Sequence, residues 1–430
     1  MSQPATIPQR AEESAGAKPA PSSKASPLAP ARLPELPPIA GVTLATAHCG
    51  IRYEGRRDLM VALLAAGTSV AGVLTRSLTP GAPVDWCRGA LPRGKARAVV
   101  VNSGNANTFT GRAGVRIVAD TASAMARLVD CQPREVYVAS TGVIGELPPA
   151  EKIIGALPAT ARSASPTAWL EAAQAIMTTD TFPKLATRRA EIDGAPVTIN
   201  GFAKGSGMLA PDMATMLAFL FTDAALPAKL LQPLLAAANE RSFNSITVDG
   251  DTSTSDTALL FATGKAEHKR VTRLADPRLK SFRRALDEVM VDLAQQIVRD
   301  GEGAEKFVTI EVQGAASAKA ARRIGLAIGN SPLVKTAIAA GDANWGRVVM
   351  AVGKSGEKAD RDKLAVSVGG VRIAEKGGPV PGYDEAPVAK HMAGRDIHIQ
   401  VDLGIGNGRA TVWSCDLTHR YIDINGSYRS

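Results

Sequence analysis

The sequence predicts an α/β fold of the α+β type, with layered mixed sheets covered by helices. Three observations support this prediction. The 430 residues are 45% hydrophobic and 21% charged, which is the composition of a globular chain large enough for two domains or two large layers. Short apolar runs with strand character alternate with segments of helical spacing. Polar turns containing glycine separate these segments, and we find no internal repeat.

The first segment, residues 1–38, is rich in Pro, Ala and Ser. It shows neither helical nor strand periodicity, so we expect a flexible tail that cannot bury enough surface to offset its ordering entropy. A mitochondrial transit peptide is the alternative. However, Glu12, Glu13 and the frequent prolines do not suit an amphipathic helix poor in acidic residues.

The strands follow from Ile39 onward. The runs RAVVVN (97–102) and EVYVAS (135–140) are continuously apolar apart from their ends, which is typical of strands buried on both faces. Each runs into a polar turn, NSGNANTFTG after the first and TGVIG after the second. By the same criteria we predict further strands over 195–203, 215–221, 245–249, 258–263 and 308–312. Residues 397–403 and 410–414 are predicted to form a hairpin around GIGNG.

The helices lie between these strands. Residues 277–299 form the longest amphipathic segment, with Asp276 placed to cap it and Pro277 suited to its first position. Helical spacing predicts further helices over 119–130, 168–177, 227–240 and 331–340.

Several motifs resemble known binding loops but fail in detail. GIGNG lies between two strands without a following helix, which favours a turn over a dinucleotide loop. KGSG (204–207) has its Lys before the glycines, whereas a phosphate-binding loop has it after them. The acidic run 249–256 resembles the opening of a calcium loop. Thr254 and Leu260 stand where that loop needs Gly and Glu, so calcium binding is not expected.

Composition argues against several other classes of function. The cysteines, Cys49, Cys87, Cys131 and Cys415, form no CxxC motif, and the 5 histidines are scattered, so we expect reduced thiols and no metal site. The net charge of +9 is spread along the chain and aromatics are only 4%, which does not favour nucleic-acid binding. We find no apolar run long enough for a membrane span and no secretory signal, so a cytoplasmic protein is expected.

The stretch from Lys204 to Asp223 carries the main chemical signal. Thr215 follows the small residue Ala214 and begins an apolar strand after a turn that contains Gly205 and Gly207. On residue type alone, Thr215 is the first β-branched residue of a buried strand.

The sequence from Gly41 to Ser430 resembles the ornithine acetyltransferase family of arginine biosynthesis, also called the glutamate N-acetyltransferase family. The resemblance depends on motifs that occur in the family's order: NSGNAN (102–107), ASTGVIG (139–145), TTDTFPK (178–184), KGSGMLAPDMATML (204–217), DGDTSTSDT (249–257), DGEGAEK (300–306), SPLVKTA (331–337), NWGR (344–347) and the C-terminal YIDINGSYRS. The tail lies outside the match.

The resemblance implies a self-processed architecture like that of the N-terminal-nucleophile enzymes. The precursor would cut itself between Ala214 and Thr215, giving an α chain of residues 1–214 and a β chain of residues 215–430. The reaction implied is ping-pong. Thr215 takes the acetyl group of N2-acetylornithine and passes it to glutamate, without a cofactor. Some family members also accept acetyl-CoA as a donor, and an assembly of two α and two β chains is expected.

The resemblance also assigns the site residues. The oxyanion of each half-reaction is expected at Thr141 and Gly142. Substrate binding carries over onto Thr178, with its neighbour Thr179 as an alternative, Lys204, Thr215, Glu302, Asn425 and Ser430. These residue types suit an amino-acid ligand, because the Lys204 ammonium can pair with an α-carboxylate and the Glu302 carboxylate with an amine. Taken singly, Glu302 would be interpreted as a solvated residue between two glycines that end a helix.

Two departures from the family pattern and two rival functions stay open. The family commonly has Asn where Ser255 stands and Pro where Ala343 stands, and both positions lie outside the assigned site. An aminopeptidase or amidase of the same architecture would use water in place of glutamate. An unprocessed protein that binds acidic amino acids is the rival without catalysis.

Overall fold

Helices and strands alternate along the chain in a computed structural model that describes residues 18–19, 25–208 and 216–427. The elements of the first half are β1 (Lys18–Pro19), β2 (Val42–Ala47), β3 (Tyr53–Glu54), β4 (Leu59–Leu64), β5 (Ser69–Leu74), α1 (Ala82–Ala90), β6 (Ala98–Asn105), α2 (Gly111–Leu128), β7 (Val136–Val143), α3 (Ala150–Arg162), α4 (Trp169–Ala175), β8 (Lys184–Ile192) and β9 (Ala195–Lys204).

The second half begins with a strand and ends with a helix. Its elements are β10 (Leu217–Thr222), α5 (Ala228–Arg241), β11 (Thr257–Ala262), α6 (Lys280–Arg299), β12 (Phe307–Ala315), α7 (Ala318–Gly329), α8 (Pro332–Ala339), α9 (Trp345–Gly353), β13 (Ala365–Val368), β14 (Val371–Glu375), β15 (Gly378–Pro379), α10 (Glu385–Met392), β16 (Asp396–Asp402), β17 (Gly408–Cys415) and α11 (His419–Ser427). None of the described helices is both long and apolar enough to cross a membrane.

The strands form mixed sheets, which confirms the predicted fold class. A four-stranded sheet has the order β2-β4-β6-β7, and a five-stranded sheet has the order β5-β11-β10-β9-β8. A six-stranded sheet, β15-β14-β13-β16-β12-β17, belongs wholly to the second half. Each of these sheets contains one parallel pair, namely β6 with β7, β10 with β11 and β12 with β16.

The four-stranded and five-stranded sheets face each other with helices on both outer sides. Alternate residues of β6 explain this arrangement, because Val99 and Val101 join the core between the sheets while Val100 faces α2 and α3. The aromatic rings of Phe202, Phe221 and Phe261 stack in the central core, with centroid distances of 5.8 and 5.3 Å. On the other side, α5 and α6 cover the five-stranded sheet. The result is a four-layer αββα sandwich.

Burial on both faces explains why sequence patterns located the inner strands. Every residue of β6, β10 and β11 is buried, so these strands are continuous apolar runs. The long predicted helix is also confirmed. Asp276 accepts a hydrogen bond from the Arg278 backbone N–H, and a 3-10 turn over Pro277–Leu279 leads into α6.

The predicted hairpin around GIGNG is wrong. β16 and β17 are not neighbours, because β12 lies between them, parallel to β16 and antiparallel to β17. The connection between them is nonetheless tight. A Cβ atom at Gly406 would lie 2.4 Å from the Ala315 carbonyl oxygen, and one at Gly408 would lie 2.3 Å from the Ser317 backbone.

Two further expectations are corrected. Residues 245–249 do not form a strand, because a 3-10 turn covers Phe243–Ser245 and Ile246 makes only an isolated bridge to Trp413. The expectation of a flexible tail over 1–38 is wrong for residues 25–38. Leu28 and Leu36 are buried in the core, and the Ser26 hydroxyl donates to the Arg299 carbonyl. Sparse leucines anchor this segment despite its prolines.

Candidate active site

The ends of three strands converge at one edge of the two facing sheets. Thr141 and Gly142 lie at the end of β7, opposite Ser103 and Gly104 of the parallel strand β6. The Gly142 backbone has φ +132°, and a Cβ atom there would lie 2.3 Å from the Gly104 carbonyl carbon. Only glycine permits this approach of the two strands. The backbone of the predicted oxyanion turn is therefore fixed by close packing.

Lys204, the last residue of β9, links the two sheets at this edge. Its side chain is buried, and Nζ donates a hydrogen bond to Thr141 Oγ1 at 3.2 Å. Burial lowers the pKa of the Lys204 ammonium, although the carboxylates of Asp180 and Glu302 oppose this effect. Two residues assigned separately from the sequence are thus in direct contact.

Glu302 and Asn425 are hydrogen-bonded to each other, and the charge of Glu302 acts on Lys204. Asn425 Nδ2 on α11 donates to Glu302 Oε2 at 2.8 Å, and the Glu302 backbone N–H donates to the Ser206 carbonyl at 2.8 Å. Burial raises the pKa of Glu302, and the hydrogen bonds from Asn425 and Thr179 reduce this effect. The C-terminal helix therefore folds back to the predicted pocket.

The turn that contains Thr178 and Thr179 is fastened to the residues after Lys204. Thr179 Oγ1 and Ser206 Oγ lie 2.6 Å apart, and the Thr178 backbone N–H donates to Asp180 Oδ2 at 2.9 Å. Asp180 Oδ1 accepts the Gly205 backbone N–H at 2.7 Å. Both candidate threonines thus lie in the same turn beside the pocket.

Sequence reasoning missed the ion pairs that hold this turn. The Lys184 ammonium, with a side chain that is 0% exposed, lies 2.7 Å from Asp180 Oδ1 and 2.6 Å from Asp300 Oδ2. The Thr181 backbone N–H also donates to Asp300 Oδ2 at 2.8 Å. Burial would raise the pKa of Asp180, but the charges of Lys184 and Lys204 outweigh it and hold that pKa below its usual range. All three charged residues belong to motifs that carry the resemblance, yet a motif does not reveal which charges pair.

Two carboxyl side chains hold the chain on either side of residues 209–215. Asp249 Oδ2 accepts the Met208 backbone N–H at 2.5 Å, and Asp256 Oδ1 accepts the Met216 backbone N–H at 2.8 Å. The acidic run 249–256 thus flanks the predicted cleavage segment from both ends. Sequence reasoning tested this run as a calcium loop and used it as a family motif, but missed its hydrogen bonds to Met208 and Met216 on either side of that segment. Ser255, one of the departures from the family pattern, lies directly beside Asp256.

Three of the predicted residues fall outside the described part of the chain. These are Ala214 and Thr215 at the predicted cleavage site, and Ser430 at the C-terminus. Within the described residues, no group of three His, Cys, Asp or Glu side chains could hold a metal ion.

The arrangement suits acyl transfer involving an amino-acid ligand. Because Lys204 donates to Thr141 Oγ1, the Thr141 hydroxyl hydrogen is free to point at another acceptor. A hydroxyl beside a fixed backbone turn can stabilise an oxyanion. The Glu302 carboxyl is held by Asn425 and is close enough to Lys204 for their charges to interact, so it can receive an ammonium group.

Comparisons with known proteins agree with this description. A sequence model of the ArgJ family matches residues 43–430. The chain is 60% identical over 414 residues to the arginine biosynthesis bifunctional protein ArgJ of Gluconobacter oxydans, covering 96% of this chain and 97% of that protein. It is 57% identical over 412 residues to the protein of the same name from Bradyrhizobium diazoefficiens, covering 95% and 100%.

Solved structures give matches to parts of the chain. The crystal structure of the arginine biosynthesis bifunctional protein ArgJ from Bacillus halodurans has 40% identity and a TM-score of 0.47, covering 49% of this chain and 98% of that chain. The ornithine acetyltransferase from Mycobacterium tuberculosis, complexed with ornithine, has 35% identity and a TM-score of 0.37, covering 40% and 92%.

Proposed function

The chain belongs to the ArgJ family, and on that premise we propose that it transfers the acetyl group of N2-acetylornithine to glutamate in arginine biosynthesis. The observation that carries this proposal is the hydrogen bond from Lys204 to Thr141, beside Gly142, with the Glu302 carboxyl close enough to interact with the charge of Lys204. This arrangement combines an oxyanion site with the Lys204 ammonium, which fits an α-carboxylate, and the Glu302 carboxylate, which fits the amine of an amino acid.

The nucleophile is Thr215, released by self-cleavage after Ala214. The cut divides the precursor into an α chain of residues 1–214 and a β chain of residues 215–430. Before the cut the Thr215 nitrogen is an amide without basicity. Afterwards it is an α-amine with an unperturbed pKa of about 7.7–8.0, close enough to its own hydroxyl to act as the general base.

The reaction then takes two balanced steps. Thr215 Oγ attacks the acetyl carbonyl while the α-amine takes its proton, and the oxyanion accepts hydrogen bonds from the Thr141 hydroxyl and the Gly142 N–H. Collapse of this intermediate breaks the amide bond, and ornithine leaves with the proton. The α-amine of glutamate next attacks the acetyl ester and gives a proton to the Thr215 amine. Collapse breaks the ester bond, the Thr215 amine returns the proton to Thr215 Oγ, and N-acetylglutamate leaves.

Substrate positioning uses the remaining assigned residues. Lys204 faces the α-carboxylate and Glu302, held by Asn425, receives the amine. The turn with Thr178 and Thr179 closes the side next to Ser206. Ser430 at the C-terminus is the last residue that we assign to substrate binding.

The test combines a product assay with a denaturing gel. The purified protein should appear as two chains of near-equal length and should convert acetylornithine plus glutamate into ornithine plus N-acetylglutamate. Thr215→Ala should give a single uncut, inactive chain. Free acetate in place of N-acetylglutamate would identify the amidase instead. A wild-type protein that stays uncut and inactive would identify the binding protein.

A basic groove supports acetyl-CoA as a second acetyl donor. The groove, of about 1140 Å³, is lined by the carboxylate of Glu240 and by the cationic side chains of Arg76, Arg241, Lys319, Arg322, Arg323, Lys354 and Arg409. One end approaches the site, because Arg76 follows Thr75, whose N–H donates to the Asp256 carbonyl. Arg241, Arg322 and Arg323 are each paired with a carboxylate. The exposed side chains of Lys319 and Arg409 therefore provide the charges that suit the phosphates of coenzyme A.

Charge reversal tests this donor separately. Lys319→Glu with Arg409→Glu should raise the KM for acetyl-CoA and leave exchange between acetylornithine and glutamate intact. Lys280→Glu reverses one exposed charge outside the groove and serves as the control for each single replacement. An unchanged KM for acetyl-CoA would remove the groove from the proposal.

We place the protein in the cytoplasm as an assembly of two α and two β chains. This assembly should have twice the 44.7 kDa mass of the precursor by sedimentation equilibrium. A mass equal to one precursor would overturn it.

A further inference from the structure

Asp256 is a fully buried carboxyl side chain beside the start of the strand that follows the nucleophile. It immediately precedes β11, which runs parallel to β10 with Leu217 opposite Thr257. Asp256 is 0% exposed, and its Oδ1 accepts the Met216 backbone N–H at 2.8 Å. Met216 directly follows Thr215, so this carboxyl group holds the peptide bond that joins the proposed nucleophile to the sheet.

The second oxygen of this carboxyl group has no cationic partner among the described residues. Asp256 Oδ2 makes no hydrogen bond of standard geometry there, and the neutral hydroxyl of Ser253 is the side chain that interacts with the carboxyl group. A buried carboxylate that carries a charge is normally paired with a cation, and the described residues provide no ion pair here. The charged side chain that acts on Asp256 is Lys204 of β9, whose Nζ donates to Thr141 instead.

The electrostatics of the site agree with this geometry. Burial raises the pKa of the Asp256 carboxyl well above its usual range, although the Met216 N–H, the charge of Lys204 and the Ser253 hydroxyl act in the opposite direction. Burial therefore favours the uncharged form of this carboxyl group.

We propose that Asp256 is a positioning residue for Thr215 that acts as a neutral carboxylic acid. Its carbonyl-like Oδ1 fixes the N–H of the peptide after Thr215, and its Oδ2 carries the proton. This inference rests on the proposed nucleophile. An ionised carboxylate at the peptide that follows Thr215 would favour the ammonium form of the new α-amine and oppose its action as the general base. A neutral carboxylic acid can accept the Met216 N–H without stabilising the ammonium form of the α-amine.

Two substitutions separate the two parts of this role. Asp256→Asn keeps an oxygen that can accept the Met216 N–H and replaces the hydroxyl with a neutral amide of similar shape. It should retain self-cleavage, most of the kcat and the position of the acidic limb in the pH profile of kcat/KM. Asp256→Ala leaves the Met216 N–H without its acceptor, so cleavage and kcat should fall about ten-fold or more with little change in KM.

Asp223 provides a matched control at the opposite end of the same strand. It follows β10, is half-buried, and its Oδ1 accepts the Thr198 backbone N–H at 2.9 Å. The six residues of β10 separate the two carboxyl groups by about 20 Å. Asp223→Ala removes the same kind of bond, so it should lower the melting temperature but leave the kcat and its pH profile in place.

The experiment measures cleavage by denaturing gel, acetyl exchange between acetylornithine and glutamate, and thermal unfolding. An Asn variant as slow as the Ala variant, with its acidic limb moved to lower pH, would show that an ionised carboxylate is required and overturn the proposal. An Ala variant with wild-type cleavage and kcat would overturn the positioning role. If the Ala variant does not fold, the Asn variant decides alone. A wild-type chain without exchange would contradict the proposed function and not this inference, because cleavage is read separately.

Discussion

At the scale of single residues, Thr141 connects the structure to the chemistry. It accepts a hydrogen bond from Lys204, so its own hydroxyl hydrogen can be directed at a developing oxyanion. Thr141 is buried, and the neighbouring Gly142 backbone is fixed by its approach to Gly104. The two proposed oxyanion donors are therefore preorganised by packing, which is the condition under which such donors are effective.

Removing the hydroxyl tests this assignment. Thr141→Ala should lower kcat by about 100-fold with a modest change in KM, because the lost bond forms chiefly in the transition state. Thr141→Ser keeps the hydroxyl and should recover most of that loss. Steady-state kinetics of both variants measure the difference. An Ala variant with unchanged kcat would place the oxyanion elsewhere.

The proposed base predicts a specific pH dependence. The α-amine of Thr215 must be neutral to accept a proton, so kcat/KM should rise with pH through an ionisation of the free enzyme. The buried ammonium of Lys204 would disfavour protonation of this amine and shift the rise to lower pH. Replacing each histidine with Gln should leave the acidic limb in place in all five variants, at His48, His268, His391, His398 and His419. Loss of the limb in one folded variant would identify a histidine base.

At the scale of elements, local patterns located strands but not all of their partners. β6, β10 and β11 were predictable because both faces are buried, which gives continuous apolar runs. The hairpin around GIGNG failed because β12 inserts between β16 and β17. β12 lies far back along the chain, and a turn motif carries no information about such an insertion. Nor did the sequence indicate that the buried Lys184 of β8 pairs with Asp180 in the Thr178 turn and with Asp300 at the end of α6.

That lysine should contribute strongly to stability. Lys184→Met removes the cation between Asp180 and Asp300 and leaves two buried carboxyl groups facing each other. We expect a loss of about 3–5 kcal/mol in the free energy of unfolding. Arg188→Met on the same strand removes exposed ion pairs with Glu288 and Asp292 and should cost about 0–1 kcal/mol. Denaturant unfolding compares the two variants, and equal losses would contradict the structural role of Lys184.

The pH dependence of this stability has a definite sign. The pKa of Asp180 is lower in the folded protein than in the unfolded chain, where it is about 3.9. The ion pair therefore stabilises the fold at pH values above about 3.9. The stabilisation is lost as the pH falls toward the folded pKa. The difference between wild type and Lys184→Met should therefore narrow below about pH 4.

At the scale of the whole molecule, the proposed cut assigns neighbouring strands of one sheet to different chains, and the sheet holds these chains together. In the five-stranded sheet, β10 and β11 come from the second half and lie between β5 and β9, which come from the first half. The site is divided in the same way, with Thr141 and Lys204 on one side of the cut and Glu302 and Asn425 on the other. Resemblance to the family could name these residues. Their contacts, and the roles of Asp256 and Lys184, required the packing of distant segments.

The interleaved sheet predicts that the two halves need each other to fold. Expressed alone, residues 1–214 would expose the paired edges of β5 and β9 and part of the core that includes Phe202, which favours aggregation. Residues 215–430 would keep the six-stranded sheet, whose hydrophobic core lies wholly within that half, but would leave β10 and β11 uncovered. We therefore expect only the second half to show partial cooperative unfolding by circular dichroism. Co-expression of the halves, with Thr215 exposed as the first residue of the second, should restore a complex that copurifies and exchanges acetyl groups. An isolated first half that is monomeric and unfolds cooperatively would show that β5 and β9 do not depend on the strands between them.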